Sequence, residues 1–405
     1  MKKATVNIYH IQLVLLFMAS MNFVGRFFYL FVACFLVTVM NKKHCFAINA
    51  FSIFTLICGF SLCLFSSESN SLTNLIKPFV YCMCAFIGAN ILVSCEIKEA
   101  RKRLTQLLIS LGAGSSIHLL LNMLYNKNTV LYRNTVDIWS KEALGATAQA
   151  SLGIIAMAIA IACVMSDCSK KSKIISWTAI VLILSYNLVL AGRTLLVIFL
   201  VIFAVSFLSV LVFEKDKKNT IKIVLIVIAI IAIALFMYSN NTFGIKDTVE
   251  SSTLYGRFFA KEATMKLDQD SRMDNKQYFL KNLNMAVWGG GKIRNSRGVI
   301  YAHDLLMDGM DEGGIFTLIF LILMLFESIK NLCKYVFSSF VDFHVKQIVL
   351  CLSVAFFLEF TVEPILIGYQ CFFAQFCMFE SITISYYKLL EESVHEEDGR
   401  YTLTK

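Results

Sequence analysis

The stretch of the chain best suited to chemistry is VIYAHDLLMDGMDEGGIFTLIF, residues 299–320. It places His303 ahead of four acidic residues, a glycine pair and an apolar run. Histidine can act near neutral pH as a general base, a general acid or a hydrogen-bonding group. Acidic residues early in a helix also stabilise its N-terminus. The pattern therefore allows two interpretations: a working His303 with Asp304 beside it to orient the ring, or a polar cap on a buried helix.

A second candidate is Arg193, in the segment LVLAGRTLLVIF (188–199), between two apolar runs. An arginine at the end of a membrane helix can simply extend its head group to the interface. The other interpretation is an anion site, because a guanidinium near a helix N-terminus offers paired donors and a favourable dipole to a phosphate.

A third candidate is Arg272, which opens the segment DSRMDNKQYFLKNLNMAVWGGGK (270–292). Apolar residues recur there at helical spacing, at Phe279, Leu280, Leu283 and Val287. This spacing predicts an amphipathic helix lying on a membrane surface. The following GGG is typical of a turn or a close backbone approach.

The elements that must position these residues are membrane helices. The chain is 58% hydrophobic and only 16% charged, whereas soluble proteins carry about 25% charged residues. Its apolar runs of about 16–22 residues are long enough to cross a bilayer as helices. The predicted fold class is therefore an all-α polytopic membrane protein with about 12 transmembrane helices. The predicted spans are roughly 8–23, 27–40, 46–65, 75–94, 104–124, 148–166, 174–191, 194–213, 223–238, 313–329, 347–362 and 365–387.

Lysine and arginine predict the orientation of these spans. Most basic residues fall in alternate short turns and in the two tails, so the positive-inside rule places both termini in the cytoplasm. The predicted organisation is nine transmembrane helices over 1–238, a large extracytoplasmic loop over 239–304, three more helices over 305–387 and a cytoplasmic tail over 388–405. The net charge of +9 is spread over many turns and does not indicate nucleic-acid binding.

The long loop is the predicted site of chemistry. A connection of about 65 residues is too long for a simple connector and is usually functional. The loop is net basic, lies outside the membrane and contains His303 and Arg272. Its other basic residues are candidate substrate contacts of lower rank, among them Arg257, Lys292, Arg294 and Arg297, and Asp304 is a further candidate contact.

The cysteines do not point to chemistry. All 13 fall in predicted spans or at their inner edges, and no C-x-x-C spacing occurs. They are expected to be small buried apolar residues of membrane helices. The sequence predicts no metal site and no cofactor.

Taken together, the motifs resemble the O-antigen polymerase and ligase superfamily, and the Wzy-type polymerases in particular. That family shows an arginine at the outer start of a span, which Arg193 matches in GRT. It also shows an S-R-x-x-x-W-like helix ending in G-x-G, which Arg272 and the following GGG match, with Tyr278 near the tryptophan position. The resemblance covers about residues 190–330 in motif order.

The run entering the next span is the third match. The family pattern is H-N-x-x-L followed by E-x-G, and the chain has HDLLMDGMDEGGIF beginning at His303. Asp304 stands where asparagine is common, and Glu312 with Gly313 fits the E-x-G position loosely.

The resemblance implies a metal-independent glycosyltransferase with a GT-C-like fold in the bacterial inner membrane. It implies that the growing glycan passes from undecaprenyl pyrophosphate to a new lipid-linked repeat unit, for O-antigen or capsule synthesis. Arg193 and Arg272 would hold the lipid pyrophosphate, and His303 would act as a base or a positioning donor. The implied partners are the lipid-linked glycans, membrane lipid, a chain-length regulator and a flippase.

Rival classes stay open at this point. An O-antigen ligase of the same superfamily would have a similar site. A lipid-linked glycan flippase would need charged residues within its spans, and the spans are expected to be almost free of charge. A polyprenyl-phosphate-sugar transferase with an acidic pair in its first outer loop does not fit, because that loop reads VGR.

Overall fold

The computed structural model describes residues 8–41, 46–66, 72–93, 95–129, 135–214, 218–259, 271–298 and 300–403. Within these ranges the chain is helical, and the only β pairing is an isolated bridge between Val136 and Ala143. The all-α prediction is therefore confirmed for the described residues. The helices are α1 (Ile8–Ser20), α2 (Phe27–Asn41), α3 (Ala50–Phe65), α4 (Leu72–Ile91), α5 (Ile97–Tyr125), α6 (Ala146–Met165), α7 (Lys170–Val189), α8 (Thr194–Phe213), α9 (Lys218–Ser239), α10 (Ile245–Glu250), α11 (Thr253–Phe259), α12 (Ser271–Lys281), α13 (Lys292–Ser296), α14 (Leu305–Phe337), α15 (Phe343–Phe360), α16 (Ile365–Gly368) and α17 (Gln370–Leu403).

Several helices have the length and composition of membrane spans. Among the described residues, six are long and apolar enough to cross a bilayer: α5, α6, α7, α8, α14 and α15. A seventh results if the bent pair Val227–Ser239 and Thr242–Glu250 counts as one span. Four further apolar helices are shorter than a bilayer normally requires. The structure is thus consistent with a multi-pass membrane protein, and it does not confirm a count of twelve.

The helices pack around α6, which contacts α5, α7, α8 and α15. Its sequence, ATAQASLGIIAMAIAIACVM, is rich in small residues, and most of its side chains are buried. Small residues let helix backbones approach closely. At Gly153 an added Cβ would lie 2.7 Å from Cγ2 of Ile183 on α7. In a second set of contacts α17 packs along α4, and α14 packs along α3.

The segment between α9 and α14 begins after Ser239 and ends before Leu305, and its described part contains four short helices. The predicted amphipathic helix over 270–292 is shorter than expected: α12 ends at Lys281, and a 3-10 turn follows. Its apolar residues do not share one environment. Phe279 is buried in a small cluster with Ala286 and Met310, whereas Leu280 and Val287 are exposed.

The glycine segment 289–291 docks on a break in α14. Gly314 has φ 77° and interrupts the helix, so nearby backbone groups need partners from elsewhere. The N–H of Gly290 donates to the carbonyl of Glu312 (3.0 Å), and that of Gly291 donates to the carbonyl of Asp311 (2.8 Å). The N–H of Ile315 donates back to the carbonyl of Val287 (2.9 Å). These bonds fix the loop against α14, the helix that begins just after His303.

Replacing Gly289 with alanine should destabilise this junction more than an ordinary glycine substitution does. An added Cβ at Gly289 would lie 2.6 Å from the carbonyl oxygen of Glu312, and φ is +68°. Gly298 is the matched control, because its φ is +84° and nothing lies within 4 Å of an added Cβ. Gly298→Ala should cost only the left-handed backbone strain, roughly 1–2 kcal/mol. Thermal unfolding of the detergent-purified variants measures the difference, and equal melting temperatures would contradict the close docking.

Candidate functional site

Two of the predicted site residues meet at a carboxylate that the sequence analysis did not identify. Nη2 of Arg272, in the first turn of α12, lies 2.9 Å from Oε1 of Glu363. Nδ1 of His303 lies 4.0 Å from Oε2 of the same carboxylate. Glu363 follows α15, and its side chain is only 2% exposed. The structure thus brings the arginine motif and the histidine motif together on one buried acid.

The surroundings of Glu363 are polar but enclosed. The hydroxyl of Thr147, at the start of α6, hydrogen-bonds to Glu363. Glu359, one helical turn earlier and fully buried, accepts a hydrogen bond from the hydroxyl of Ser151. Two carboxylates so close in a protein interior repel each other when both are ionised. Arg272, whose side chain is 28% exposed, supplies the compensating charge and connects the pair to solvent.

Burial raises the pKa of Glu363 to about 7, and the Arg272 guanidinium keeps it from rising further. Glu363 therefore changes its protonation state close to neutral pH. A carboxyl group with such a pKa is a suitable proton acceptor or donor in catalysis. Strongly perturbed carboxyl groups also occur preferentially at functional sites.

His303 has an unusual backbone conformation. Its φ is 55°, in the left-handed region that non-glycine residues seldom adopt. Such conformations cost about 1–3 kcal/mol and concentrate at functional sites. The turn directs the chain from the loop into α14, whose N-cap is the next residue, Asp304.

Lys276 adds a second positive charge beside Arg272, one turn further along α12. Its ammonium donates to the carbonyl oxygen of Thr361 (2.6 Å) and lies 3.6 Å from a carboxylate oxygen of Asp304. Lys276 was not among the candidates predicted from the sequence, although its spacing of four residues from Arg272 places both on one face of a helix. The two cations and His303 together form the face of the site that could meet an anion.

The acids that follow His303 are structural. Asp304 accepts hydrogen bonds from the N–H groups of Leu306 and Met307 and so caps α14. Asp308 accepts from the N–H groups of Ala302 and Asp304, at 2.8 and 3.1 Å. These hydrogen bonds fit the interpretation of the acids as a polar cap at the start of a helix. The carboxylate that lies near Nδ1 of His303 is Glu363, so the orienting role expected for Asp304 is better suited to Glu363.

Arg294 and the two acids at the glycine junction form a separate buried group. Nη1 of Arg294 lies 3.1 Å from Oε2 of Glu312, and both side chains are 8% exposed. Asp311 accepts from the N–H groups of Ile293 and Arg294, and the hydroxyl of Ser66 donates to Glu312. Arg294, a predicted substrate contact, thus ties α13 to α14, and this pairing favours a structural role.

The remaining predicted site residues lie in different surroundings. Arg193 is half-buried at the N-terminus of α8, after a left-handed Ala191. Lys292 and Arg297 are exposed at the two ends of α13, and the guanidinium of Arg297 lies 5.1 Å from the ring centre of Tyr278. Arg257 belongs to α11, but its side chain lies outside the described residues. Substrate binding by these four stays a prediction.

A cavity of about 340 Å³ lies beside the Glu363 cluster. Ser151 and Tyr369 line it, and both also border the two glutamates. Its wall contains His118, whose Nε2 lies 2.5 Å from Oδ2 of Asp137. His118 lies within the predicted span 104–124, where a lone histidine indicates no particular role. Asp137 lies in the connection after that span, and no sequence spacing links the two residues.

Buried acidic residues inside apolar segments could have been noticed in the sequence. Glu359 and Glu380 are acidic residues inside apolar segments, and both are fully buried, in α15 and α17. A carboxylate within a membrane span is by default a functional candidate. The expectation that the spans are almost free of charge is wrong at these positions, so it no longer counts against a transporter.

One group in the described chain could hold a metal ion. One ligand atom each from Cys163, Cys168 and His344 lies within 4.8 Å of the others, and Sγ of Cys168 is 3.4 Å from Nδ1 of His344. Two thiols and an imidazole suit zinc or another soft ion. The group joins the end of α6 to the start of α15, so it lies at the opposite end of these helices from Ser151 and Glu359.

Comparison with known proteins adds no identity to this geometry. No known family model matches the chain, and no curated protein is significantly similar to it.

The titration of Glu363 predicts how stability depends on pH. Its pKa is about 7 in the folded protein against 4.5 for an ordinary glutamate, so the folded state holds a proton more tightly than the unfolded state does. Stability should therefore fall as the pH rises from about 4.5 to 7. Glu363→Gln should flatten this dependence. Melting temperatures of the detergent-purified proteins at pH 5 and pH 8 test it, and an unchanged slope in the variant would refute the assignment.

Proposed function

We propose that the chain polymerises lipid-linked oligosaccharide repeat units at the extracytoplasmic face of the bacterial inner membrane. In this proposal it is a metal-independent glycosyltransferase with about twelve spans, a GT-C-like architecture and cytoplasmic termini. The growing glycan passes from undecaprenyl pyrophosphate to the non-reducing end of a new repeat unit, for O-antigen or capsule. The observation that carries the proposal is the meeting of Arg272 and His303, from two separate motifs of the resemblance, at Glu363.

The cations of the site suit the leaving group. When the sugar–phosphate bond of the donor breaks, negative charge develops on the lipid pyrophosphate. Arg272 and Lys276, one helical turn apart on α12, are placed to stabilise it, and guanidinium groups bind phosphate with paired hydrogen bonds. Arg193 would bind the same group from the start of α8. Exposed Lys292 and Arg297, together with Arg257, would attract the anionic lipid to the loop.

Glu363 gives this site a way to release Arg272 to the substrate. In the unliganded protein the carboxylate neutralises the guanidinium at 2.9 Å. Because the pKa of Glu363 is about 7, protonation near neutral pH costs little free energy. An approaching pyrophosphate would favour the protonated acid through charge repulsion, and Arg272 would then pair with phosphate instead.

The proton of the acceptor hydroxyl must also leave as the new glycosidic bond forms. His303 takes this proton in the proposed mechanism, and the nearby Glu363 carboxyl orients the imidazole. The 4.0 Å separation is longer than a hydrogen bond, and such contacts commonly shorten when substrate binds.

Arg272→Ala, His303→Ala and Arg193→Ala should each abolish long polysaccharide chains, while the protein remains in the membrane. Loss of a donor to the developing charge lowers turnover by on the order of 10²–10³-fold. Chain length is read from electrophoresis of the surface glycan after complementation of a deletion strain. Arg101→Ala is the matched control. Arg101 lies at the start of α5 and pairs with Asp342 at 2.6 Å, and both side chains are exposed. Wild-type chain length in all three site variants would overturn the site.

The phenotype of the deletion strain separates the alternative functions. A polymerase defect leaves single repeat units on the final acceptor. Long chains that remain on the lipid carrier would instead indicate an O-antigen ligase. Lipid-linked repeats trapped on the cytoplasmic side would indicate a flippase, an alternative that the buried Glu359 and Glu380 favour.

A further inference from the structure

We propose that the cavity beside Glu363 binds the terminal, uncharged sugar of the acceptor glycan. This inference rests on the proposed function, because it names where the second substrate of that reaction sits. The cavity lies between the outer ends of α1, α5 and α6 and the start of α17. Its volume of about 340 Å³ is at the lower end of the range of small-molecule sites.

The lining of the cavity suits a ligand rich in hydroxyl groups. Hydroxyl and amide side chains from four separate parts of the fold converge on it: Ser20, Asn22, Ser115, Ser140, Gln370 and Gln375. The amide of Gln375 donates to the hydroxyl of Ser115 at 3.2 Å, which joins α17 to α5. Aromatic rings of Phe27, Tyr369 and Phe372 complete the wall. A few polar groups set among apolar and aromatic surfaces are typical of sites that orient a small ligand.

The charge of the cavity excludes the pyrophosphate. Asp137 and Glu142 line it, and none of the described lining residues is a lysine or an arginine. A phosphate there would face carboxylates without a compensating cation. The cations Arg272 and Lys276 do not line the cavity: Arg272 pairs with Glu363, and Lys276 donates to the carbonyl of Thr361. The two substrates would thus bind at sites of different charge. The anionic pyrophosphate of the donor would bind the cations of α12, and the neutral acceptor sugar would bind in the cavity.

His118 provides a polar atom that a sugar hydroxyl would satisfy. Its Nε2 pairs with Asp137, whose pKa is held below its usual range because hydrogen bonds from His118 and from backbone N–H groups outweigh the effect of burial. The backbone N–H groups of Trp139 and Ser140 both donate to Asp137. Nδ1 of His118 has no hydrogen-bond partner in the described part of the chain. Buried polar atoms are seldom left without one.

The position of the cavity fits an acceptor site. Ser151 lines the cavity and hydrogen-bonds to Glu359, and Tyr369 lies between the cavity and the two glutamates. Glu142, Ala143 and Gly25 line it and are exposed, so it reaches the surface. A glycan entering from that surface would present its terminal hydroxyls towards the Arg272, His303 and Glu363 cluster.

Binding is tested on the full-length protein in detergent micelles by saturation-transfer NMR. The probe is the repeat-unit oligosaccharide released from the host's surface polysaccharide by mild acid, and inorganic pyrophosphate is the competitor. The oligosaccharide should bind saturably, and pyrophosphate should not displace it. Gln375→Leu should weaken binding at least tenfold, and Ser115→Ala should weaken it less. Gln347→Leu is the matched control, because Gln347 is a buried glutamine on α15 that bonds to Ser206 and Ser209 and does not line the cavity.

The results distinguish this inference from the proposed function. If the oligosaccharide does not bind, if pyrophosphate displaces it, or if the cavity variants bind as tightly as the wild type, the cavity is not the acceptor site. If binding follows the cavity variants but the deletion strain shows no polymerisation defect, the cavity is a glycan-binding site and the proposed function fails. Each variant must elute from size-exclusion chromatography as the wild type does, and Ser115→Ala replaces Gln375→Leu if the larger change prevents folding.

Discussion

Buried carboxylates at one end of the helix bundle are the constraint on which the rest of this structure depends. Glu363, Glu312, Asp308 and Asp311 are all largely withdrawn from water, and each ionised acid in such a place needs a positive or hydrogen-bonding partner. The loop before α14 provides these partners: Arg272 for Glu363, Arg294 for Glu312, and backbone N–H groups for the two aspartates. Removing one partner from such a pair usually destabilises a protein strongly.

The same requirement positions the site. The glycine segment pairs with the break in α14 because helix carbonyls freed at Gly314 need donors. That pairing fixes α12 and α13 over the ends of the spans, and Asp304 caps the new helix directly after His303. The bonds that secure the loop therefore also bring Arg272 and His303 within reach of Glu363. Structural residues and candidate functional residues are therefore neighbours in one short stretch of the sequence.

The site has two electrostatic halves. Arg272 and Lys276 supply positive charge from α12, whereas the cavity contains Asp137 and Glu142 among hydroxyl and amide groups. Glu363 pairs with Arg272, and Glu359 accepts a hydrogen bond from Ser151, which lines the cavity. A buried acid with a pKa near 7 can respond to the charge of a bound substrate, which a surface glutamate, ionised throughout the physiological range, cannot.

The sequence by itself determined the helical class, the approximate position of the long apolar helices and the long loop, and it singled out Arg272 and His303 as candidates. These follow from local properties, since apolar run length and loop length are read along the chain. Only the tertiary structure decided which carboxylate the two residues meet, because Glu363 is 91 residues from Arg272 in the chain. It likewise decided that Arg294 is buried against Glu312 and that His118 pairs with Asp137. The three-dimensional path of the chain sets which side chains meet in a packed interior. The spacing of residues along a single sequence does not reveal that path.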